Sequence, residues 1–467
     1  MNRGKQLVKN TIILAFGSIL PKLLAIISLP IVTGNLTKLE YGIYDLIGVI
    51  ESLILPCITL QIPLAAFRYL VDYRNKELEI SMIISSTFFF SVIVSIPSFL
   101  AGMLFLKEYD DYKILICLIV FLYLFVNVFQ QFVRGLNDNK CYSKSTILYS
   151  CINVIFLVLL VKKLELGLYG ALLSILISYL VQITFLLLEG KIYRYVLIKN
   201  VSFSKIREMI KYSTPLVPNS ISIWLMNLSD RIILSLFCGL EVSAVYAIAN
   251  KIPSLFNVAQ STFTMAWQEN ASMVSSDNDV SDYYKEVFDT SLRLMIGIMA
   301  ILISTSPFLF RILIKGTYEA AYNQIPILLV ASFFAGVSAF MGGIYVACKK
   351  TKKIGISTMI SAFINVLINL LLVKHIGIYA ASISTLVSYV ILVIYRMIDI
   401  SNSLFIKFEW LVYIQYVTVL ILMCLVSFIN HKGLDVLNIL FAFSYAVILN
   451  KKIVLRMFQS LIFNVRK

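Results

Sequence analysis

The chain has 467 residues, of which 60% are hydrophobic and 14% charged, and its formal net charge is +15. A water-soluble globule of that size must cover itself with polar side chains, so this composition excludes one. The surplus of Lys and Arg is scattered singly between apolar runs rather than gathered into a patch, which argues against a nucleic-acid surface and for membrane orientation.

Apolar runs of about twenty residues, each enough to cross roughly 30 Å of hydrocarbon, recur along the whole chain. They predict an all-α polytopic membrane protein of about fourteen spans: 11–33, 42–65, 80–106, 114–133, 143–161, 165–188, 213–238, 242–267, 290–315, 324–348, 352–373, 376–398, 410–430 and 434–454. The first span follows Arg3, Lys5 and Lys9 and is longer than the core of a signal peptide, so it is read as a retained helix. The connections are short and leave no room for a separate catalytic domain. With the N-terminus placed in the cytoplasm, 27 of the 40 Lys and Arg fall on that side, 8 on the other and 5 within spans. That asymmetry sets both termini in the cytoplasm, with an even number of spans. The acidic loop 268–289 is the exception, and acidic residues weigh little in the rule.

The chain also repeats itself. GLNDNKCYSKSTILYSCINVIFLVLLVK at 135–162 answers ACKKTKKIGISTMISAFINVLINLLLVK at 347–374 without gaps, sharing Ser-Thr, Ile-Asn-Val and Leu-Leu-Val-Lys. LYGA at 168–171 answers IYAA at 378–381, and YGIYDLIGVIESL at 41–53 more weakly answers SAVYAIANKIPSL at 243–255. The unit is six spans, an even number, so both copies enter the membrane the same way round, as in transporters with parallel repeats. The expected organisation is a six-helix lobe at 1–188, a cytoplasmic inter-lobe loop at 189–212 and a second six-helix lobe at 213–398. Two further helices and a basic tail at 399–467 complete it. All ten prolines fall within or at the edge of spans, as expected of bent helices around a moving cavity.

Ionisable side chains at bilayer depth cost several kcal/mol unless they meet a partner or a cavity. Lys22 follows Pro21 in the middle of the first span, Glu51 lies about 15 Å into the second at the helical rise, and Lys251 is similarly deep in the eighth. Asp45, Arg293 and Arg311 are shallower and suit snorkelling or internal pairing. Asp230 and Arg231, adjacent in the seventh span, point about 100° apart on a helix and cannot neutralise one another face to face. Basic groups in a cavity suit an anionic substrate such as a pyrophosphate. Buried carboxylates such as Glu51 and Asp230 suit coupling to a gradient of H+ or Na+. The seven cysteines and two histidines show no metal-ligand spacing, no cofactor motif is present, and without a GxxxxGK[ST] loop ATP is not the direct energy source.

One stretch is more specific. At 213–269, the elements P-x-x-P-N (Pro215, Pro218, Asn219) and N-x-x-D-R (Asn227, Asp230, Arg231) are followed by Gly239 and Tyr246. K-I-P at 251–253 and A-W-Q-E at 266–269 (with Trp267, Gln268 and Glu269) complete the block. It resembles the Wzx-type oligosaccharide flippases, in the superfamily that also holds the MATE multidrug exporters and lipid II flippases. The resemblance implies two six-helix lobes that open alternately to either face of the bacterial cytoplasmic membrane. The implied cargo is an undecaprenyl-pyrophosphate-linked repeat unit for O-antigen, capsule or exopolysaccharide. The implied protein partners are a polysaccharide polymerase and chain-length proteins. Family members carry basic cavity residues that meet the pyrophosphate; Arg231, Lys251 and, by depth alone, Lys22 are the positions that fit. The last two spans are expected to help form a groove for the lipid tail.

Two rival readings differ in what they need. A drug or cation exporter of the same superfamily prefers an acidic, aromatic-lined cavity, whereas the midplane charges here lean basic. A membrane sugar polymerase or ligase needs a sizeable external loop, which this chain lacks.

Overall fold

The computed structural model describes residues 3–74, 76–106, 110–275, 279–429, 431–451 and 455. Most of the basic C-terminal tail lies outside the described residues. Among the described residues every regular element is helical, and twelve helices are long and apolar enough to cross a membrane. The chain divides into two compact units, Met1–Trp224 and Leu225–Lys467.

The first unit opens with α1 (Arg3–Asn35) and α2 (Lys38–Thr59). Their junction is set by a reciprocal cap in which Thr37 Oγ1 accepts from the Glu40 amide and Glu40 accepts from the Thr37 amide. Glu40 also accepts from the Leu168 amide at 3.2 Å, fastening this turn to the start of a later helix. The expected span 42–65 is interrupted at Leu60 and Gln61, both left-handed, and resumes as α3 (Ile62–Asp72) with Pro63 in its first turn. A proline there forfeits no helical hydrogen bond, so the break is inexpensive for the following helix.

Next come α4 (Glu77–Phe105), α5 (Lys113–Gly135) and α6 (Asn139–Phe156), the last running into a π-helical turn at Leu157–Lys163, and then α7 (Gly167–Glu189). α6 packs against both α1 and α7, and α5 against α3, α4 and α7. The segment expected as a plain loop at 189–212 instead holds short 3-10 turns and the amphipathic α8 (Phe203–Ser213). Its Ile206 and Met209 join Ile62, Leu70, Ile83 and Phe132 in one buried cluster. A 3-10 turn containing Pro215 then leads into α9 (Val217–Cys238), within which the division between the two units falls.

The second unit continues with α10 (Leu240–Ala249), α11 (Lys251–Met273), α12 (Val280–Leu313), α13 (Glu319–Tyr322), α14 (Ile325–Ala347), α15 (Thr351–Ile376) and α16 (Ile378–Leu404). α17 (Trp410–Phe428) and α18 (Lys432–Leu449) follow. α14 is its most buried long helix, packed by α11 on one side and α16 on another, while α12 carries α17 and α18. α15 and α16 pair across Gly377, whose φ of 55° and ψ of −127° suit a residue without a Cβ.

The two expected spans missing from the twelve have identifiable causes. Span 242–267 is divided at Asn250, and α11 carries Asn257, Gln260, Gln268 and Glu269, which lower its apolar content. Span 434–454 is represented by α18, whose apolar stretch Gly433–Leu449 is only slightly short. A further feature is Arg396, which falls near the end of the expected span 376–398. It sits inside α16 with 3% of its surface exposed. Its guanidinium donates to Ser338 O at 2.7 Å, Ser357 Oγ at 3.0 and 3.1 Å and Thr358 Oγ1 at 3.0 Å. Oxygens from α14 and α15 replace water around it, which a charge count along the sequence does not register.

Candidate functional site

Asp230 is 2% exposed on α9 and is held by three neighbouring helices of its own unit. Tyr246 on α10 donates its hydroxyl to Oδ2 at 2.9 Å, and Thr385 on α16 donates to the same oxygen at 2.7 Å. Asn369 on α15 donates through Nδ2 to Oδ1 at 2.6 Å. Asn365, one turn before Asn369, is best satisfied when its amide donates to Oδ1 at 3.3 Å and accepts from Thr385. One turn back along α9, Asn227 Oδ1 accepts from the Tyr389 hydroxyl at 3.0 Å. Thus Asn227 and Asp230 on α9 face Thr385 and Tyr389 on α16, each pair spaced to share a helix face.

A buried carboxylate costs several kcal/mol to desolvate, and hydrogen bonds to a charged group return about 1.5–3 kcal/mol each. Four neutral donors, those of Tyr246, Thr385, Asn369 and Asn365, therefore offset much of that cost. Around it stand further oxygens: Thr385 Oγ1, the Asn365 carbonyl and Asn369 Oδ1, the last buried with no hydrogen-bond partner. Hard oxygen donors with one net negative charge suit a proton or a small monovalent cation better than a divalent ion, which usually draws several carboxylates. Among the described residues no cluster of three His, Cys, Asp or Glu offers a metal site.

In the first unit, Glu51 on α2 is 7% exposed and accepts from the Tyr179 hydroxyl of α7 at 3.2 and 3.4 Å. Tyr149 of α6 stacks on Tyr179 with ring centres 5.0 Å apart, and Tyr123 of α5 lies 5.9 Å from the same ring. Half a turn earlier on α2, the Val49 carbonyl accepts from Trp224 Nε1 at 3.1 Å. Tyr179 and Tyr389 occupy matching places in the sequence repeat, so one aligned position serves a carboxylate in the first unit and an amide in the second.

The basic candidates are placed differently. Lys22 is exposed on α1, whereas Arg231 and Lys251 are half-buried, Lys251 at the first position of α11. Lys22 and Glu51 belong to the first unit; Asp230, Arg231 and Lys251 belong to the second. Pro215 and Pro218 lie at helix starts, where the missing amide is tolerated, and Asn219 is exposed beside them.

Trp267 is 3% exposed, stacks on Phe340 of α14 at 4.3 Å and donates Nε1 to the Phe340 carbonyl at 2.9 Å. Gly343 makes room for its ring, since a Cβ there would stand 2.5 Å from Trp267 Cδ1. This tryptophan locks α11 to α14. Gln268 is half-buried and Glu269 exposed.

Sequence reasoning passed over Asn365, Asn369 and Thr385. Two asparagines at i and i+4 in the otherwise apolar INVLINLLLV were the available signal, because polar side chains in a span are kept where they find partners.

These features define a multi-pass helical membrane protein with a polar centre buried among its helices. The fold is one already seen in transporters. A lipid II flippase, MurJ, in its inward closed conformation matches with a TM-score of 0.70 at 13% identity, over 96% of this chain and 100% of that one. An inward-facing multidrug resistance MATE family transporter of the MOP superfamily matches at 0.67 and 13%, over 83% and 95%. A MOP superfamily transporter from Pyrococcus furiosus matches at 0.58 and 15%, over 84% and 95%. No curated protein matches at a significant level. The chain belongs to the polysaccharide biosynthesis protein family, whose sequence profile matches residues 7–268.

Proposed function

We propose that this protein is a flippase that turns an undecaprenyl-pyrophosphate-linked oligosaccharide repeat unit from the cytoplasmic to the outer leaflet of the bacterial cytoplasmic membrane. The product feeds O-antigen, capsule or exopolysaccharide assembly. The observation that carries this reading is membership of the polysaccharide biosynthesis family in a chain with the fold of a transporter. A family concerned with polysaccharide, built as a membrane transporter, has a natural task in moving the lipid-linked precursor. The full structural overlap with a lipid II flippase supports a cargo of that type, a pyrophosphate-linked sugar on a polyprenyl chain.

In this reading Lys22, Arg231 and Lys251 attract the pyrophosphate and acidic sugars, and six-helix lobes at 1–188 and 213–398 alternate between the two faces. Both termini are cytoplasmic. Asp230, within its ring of neutral oxygens, takes up and releases the coupling proton or Na+, with Glu51 as a second ion-responsive carboxyl. A polysaccharide polymerase and chain-length proteins receive the flipped unit.

The experiment is deletion of the gene in its host, followed by extraction of lipid-linked sugars and a probe of their leaflet. The expected result is repeat units accumulating on the cytoplasmic side, loss of surface polymer, and reversal of both by the intact gene. Lipid-linked units that still reach the outer leaflet unchanged would overturn the proposal.

A further inference from the structure

The chain between α7 and α9 joins a firmly held backbone to an exposed apolar surface. Residues 189–212 carry six Lys and Arg against two Glu, and they fold as 3-10 turns at Ile192–Arg194 and Ile198–Asn200 followed by α8. Serines of α4 fasten this stretch. Ser81 and Ser85 both donate to Tyr195 O at 2.8 Å. Ser85 Oγ accepts from the Leu197 amide and Ser86 Oγ from the Ser202 amide, each at 2.9 Å. Asn200 Nδ2 donates to Ser81 Oγ at 2.7 Å. Yet Ile198, in the middle of the fastened stretch, is 89% exposed and Phe203 73%, and Tyr193 and Leu197 are exposed too.

The depth of this surface can be read along α4. That helix has 29 residues, about 43 Å at the helical rise, against about 30 Å of hydrocarbon. Centred in the bilayer it projects about 6 Å at each end, so Ser81 marks the hydrocarbon boundary and Ser85, Ser86 and Phe89 lie inside it. Phe203 meets Phe89 edge to face with ring centres 6.2 Å apart, whereas Lys205 reaches back to Glu79, in the first turn of α4, at 3.4 Å. Those two contacts lie about 15 Å apart along α4. The aromatic ring points inward and the ammonium toward water, as side chains at a membrane interface do. Non-helical backbone at such depth is tolerated only where protein satisfies it, which the α4 serines do. On α8, Phe203, Arg207 and Lys211 share one exposed face at four-residue spacing.

Apolar side chains this exposed, rimmed by cations and level with hydrocarbon, fit a lipid surface. We propose that residues 191–212 form a wedge inserted into an acidic lipid leaflet beside α4. Ile198 and Phe203 lie among acyl chains, and Arg194, Lys199, Arg207 and Lys211 pair with the phosphates of anionic phospholipids. The wedge holds the chain entering α9 at a fixed depth and selects anionic over zwitterionic lipid.

The test uses the full chain in nanodiscs of phosphatidylcholine and phosphatidylglycerol in equal amounts. In each of two samples one of these lipids carries a diazirine in its acyl chain, and adducts formed on illumination are read by peptide mass spectrometry. Phe363 and Leu371, exposed on α15, supply the reference for lipid-facing labelling. The expected result is acyl adducts within 193–203, favouring phosphatidylglycerol about fivefold or more once normalised to α15. A variant combining Arg194→Gln, Lys199→Gln, Arg207→Gln and Lys211→Gln should keep the adducts and lose the preference. On the native chain, adducts on α15 with none within 193–203 would put the segment in water, leave its apolar surface to a protein partner and overturn the proposal. Equal labelling by the two lipids on the native chain would also overturn it, as would a preference that survives the four substitutions. No readout involves transport, so the outcome is separate from that of the flippase reading.

Discussion

Truncating Asp230 separates the two things its carboxylate does, which are accepting hydrogen bonds and carrying charge. In Asp230→Ala, the donors from Tyr246, Asn369 and Thr385 lose their common acceptor. A buried donor left unsatisfied costs about 1–3 kcal/mol. Thr385 can donate instead to the Asn365 carbonyl at 3.3 Å, so one or two donors stay orphaned, while the desolvation cost of the carboxylate disappears. The expected net loss is about 2–4 kcal/mol. Asp230→Asn keeps the shape. Its Oδ1 can accept from Tyr246 and Thr385, and its new amide can donate to Asn369 Oδ1, which is now unpartnered, once that side chain turns over. Its expected cost is about 1 kcal/mol or less. Equilibrium unfolding in mixed detergent measures both, and transport in proteoliposomes under an imposed H+ or Na+ gradient measures the charge. Asp230→Asn should be nearly as stable as the parent yet insensitive to the gradient. An alanine variant within about 0.5 kcal/mol of the parent would refute the reasoning, since such a change is typical of an uninvolved surface site. So would an asparagine variant that keeps full coupling.

Arg231→Ala and Lys251→Ala should each abolish export of lipid-linked sugar while membrane insertion, followed by immunoblot of the membrane fraction, is unchanged; normal export in both removes them from the proposed pyrophosphate contacts. Gly343→Ala should destabilise the second unit by about 1–3 kcal/mol through overpacking against Trp267. Adding Trp267→Leu to it should be markedly non-additive, because the two changes act on one contact, and simple additivity in a thermal-stability cycle would argue otherwise. Arg396→Met should lower stability by about 2–4 kcal/mol by stranding the oxygens of Ser338, Ser357 and Thr358. Arg396→Lys should rescue little, since an ammonium lacks the planar fork that spans them, and full recovery would show that charge alone suffices.

Much of this protein follows from the one-dimensional pattern alone. In a bilayer every backbone polar group must be satisfied within its own helix, so long apolar runs translate directly into spanning helices. The same constraint made the all-helical class, the span positions and Asp230 as a residue needing partners readable without coordinates. The interruptions were harder. The break at Leu60 and Gln61 lies in the part of its apolar run beyond Gly48, where no glycine marks it, and Pro63 is equally compatible with a kink or a new start. The division of α10 from α11 at Asn250 is likewise invisible to hydropathy.

Only tertiary structure decided which residues gather around the carboxylates. Asp230 draws Tyr246 from 16 positions away, Asn369 from 139 and Thr385 from 155. Each of those side chains taken singly is ordinary in a membrane helix. Their meeting depends on how α9, α10, α15 and α16 rotate about their own axes, which small-residue packing and interhelical hydrogen bonds set and apolar periodicity does not. Trp267 makes the same point from the other side, because its motif suggested a functional contact and Gly343 opposite it supplies a packing reason. Hydropathy placed the helices in the membrane, and side-chain complementarity between distant helices built the centre inside them.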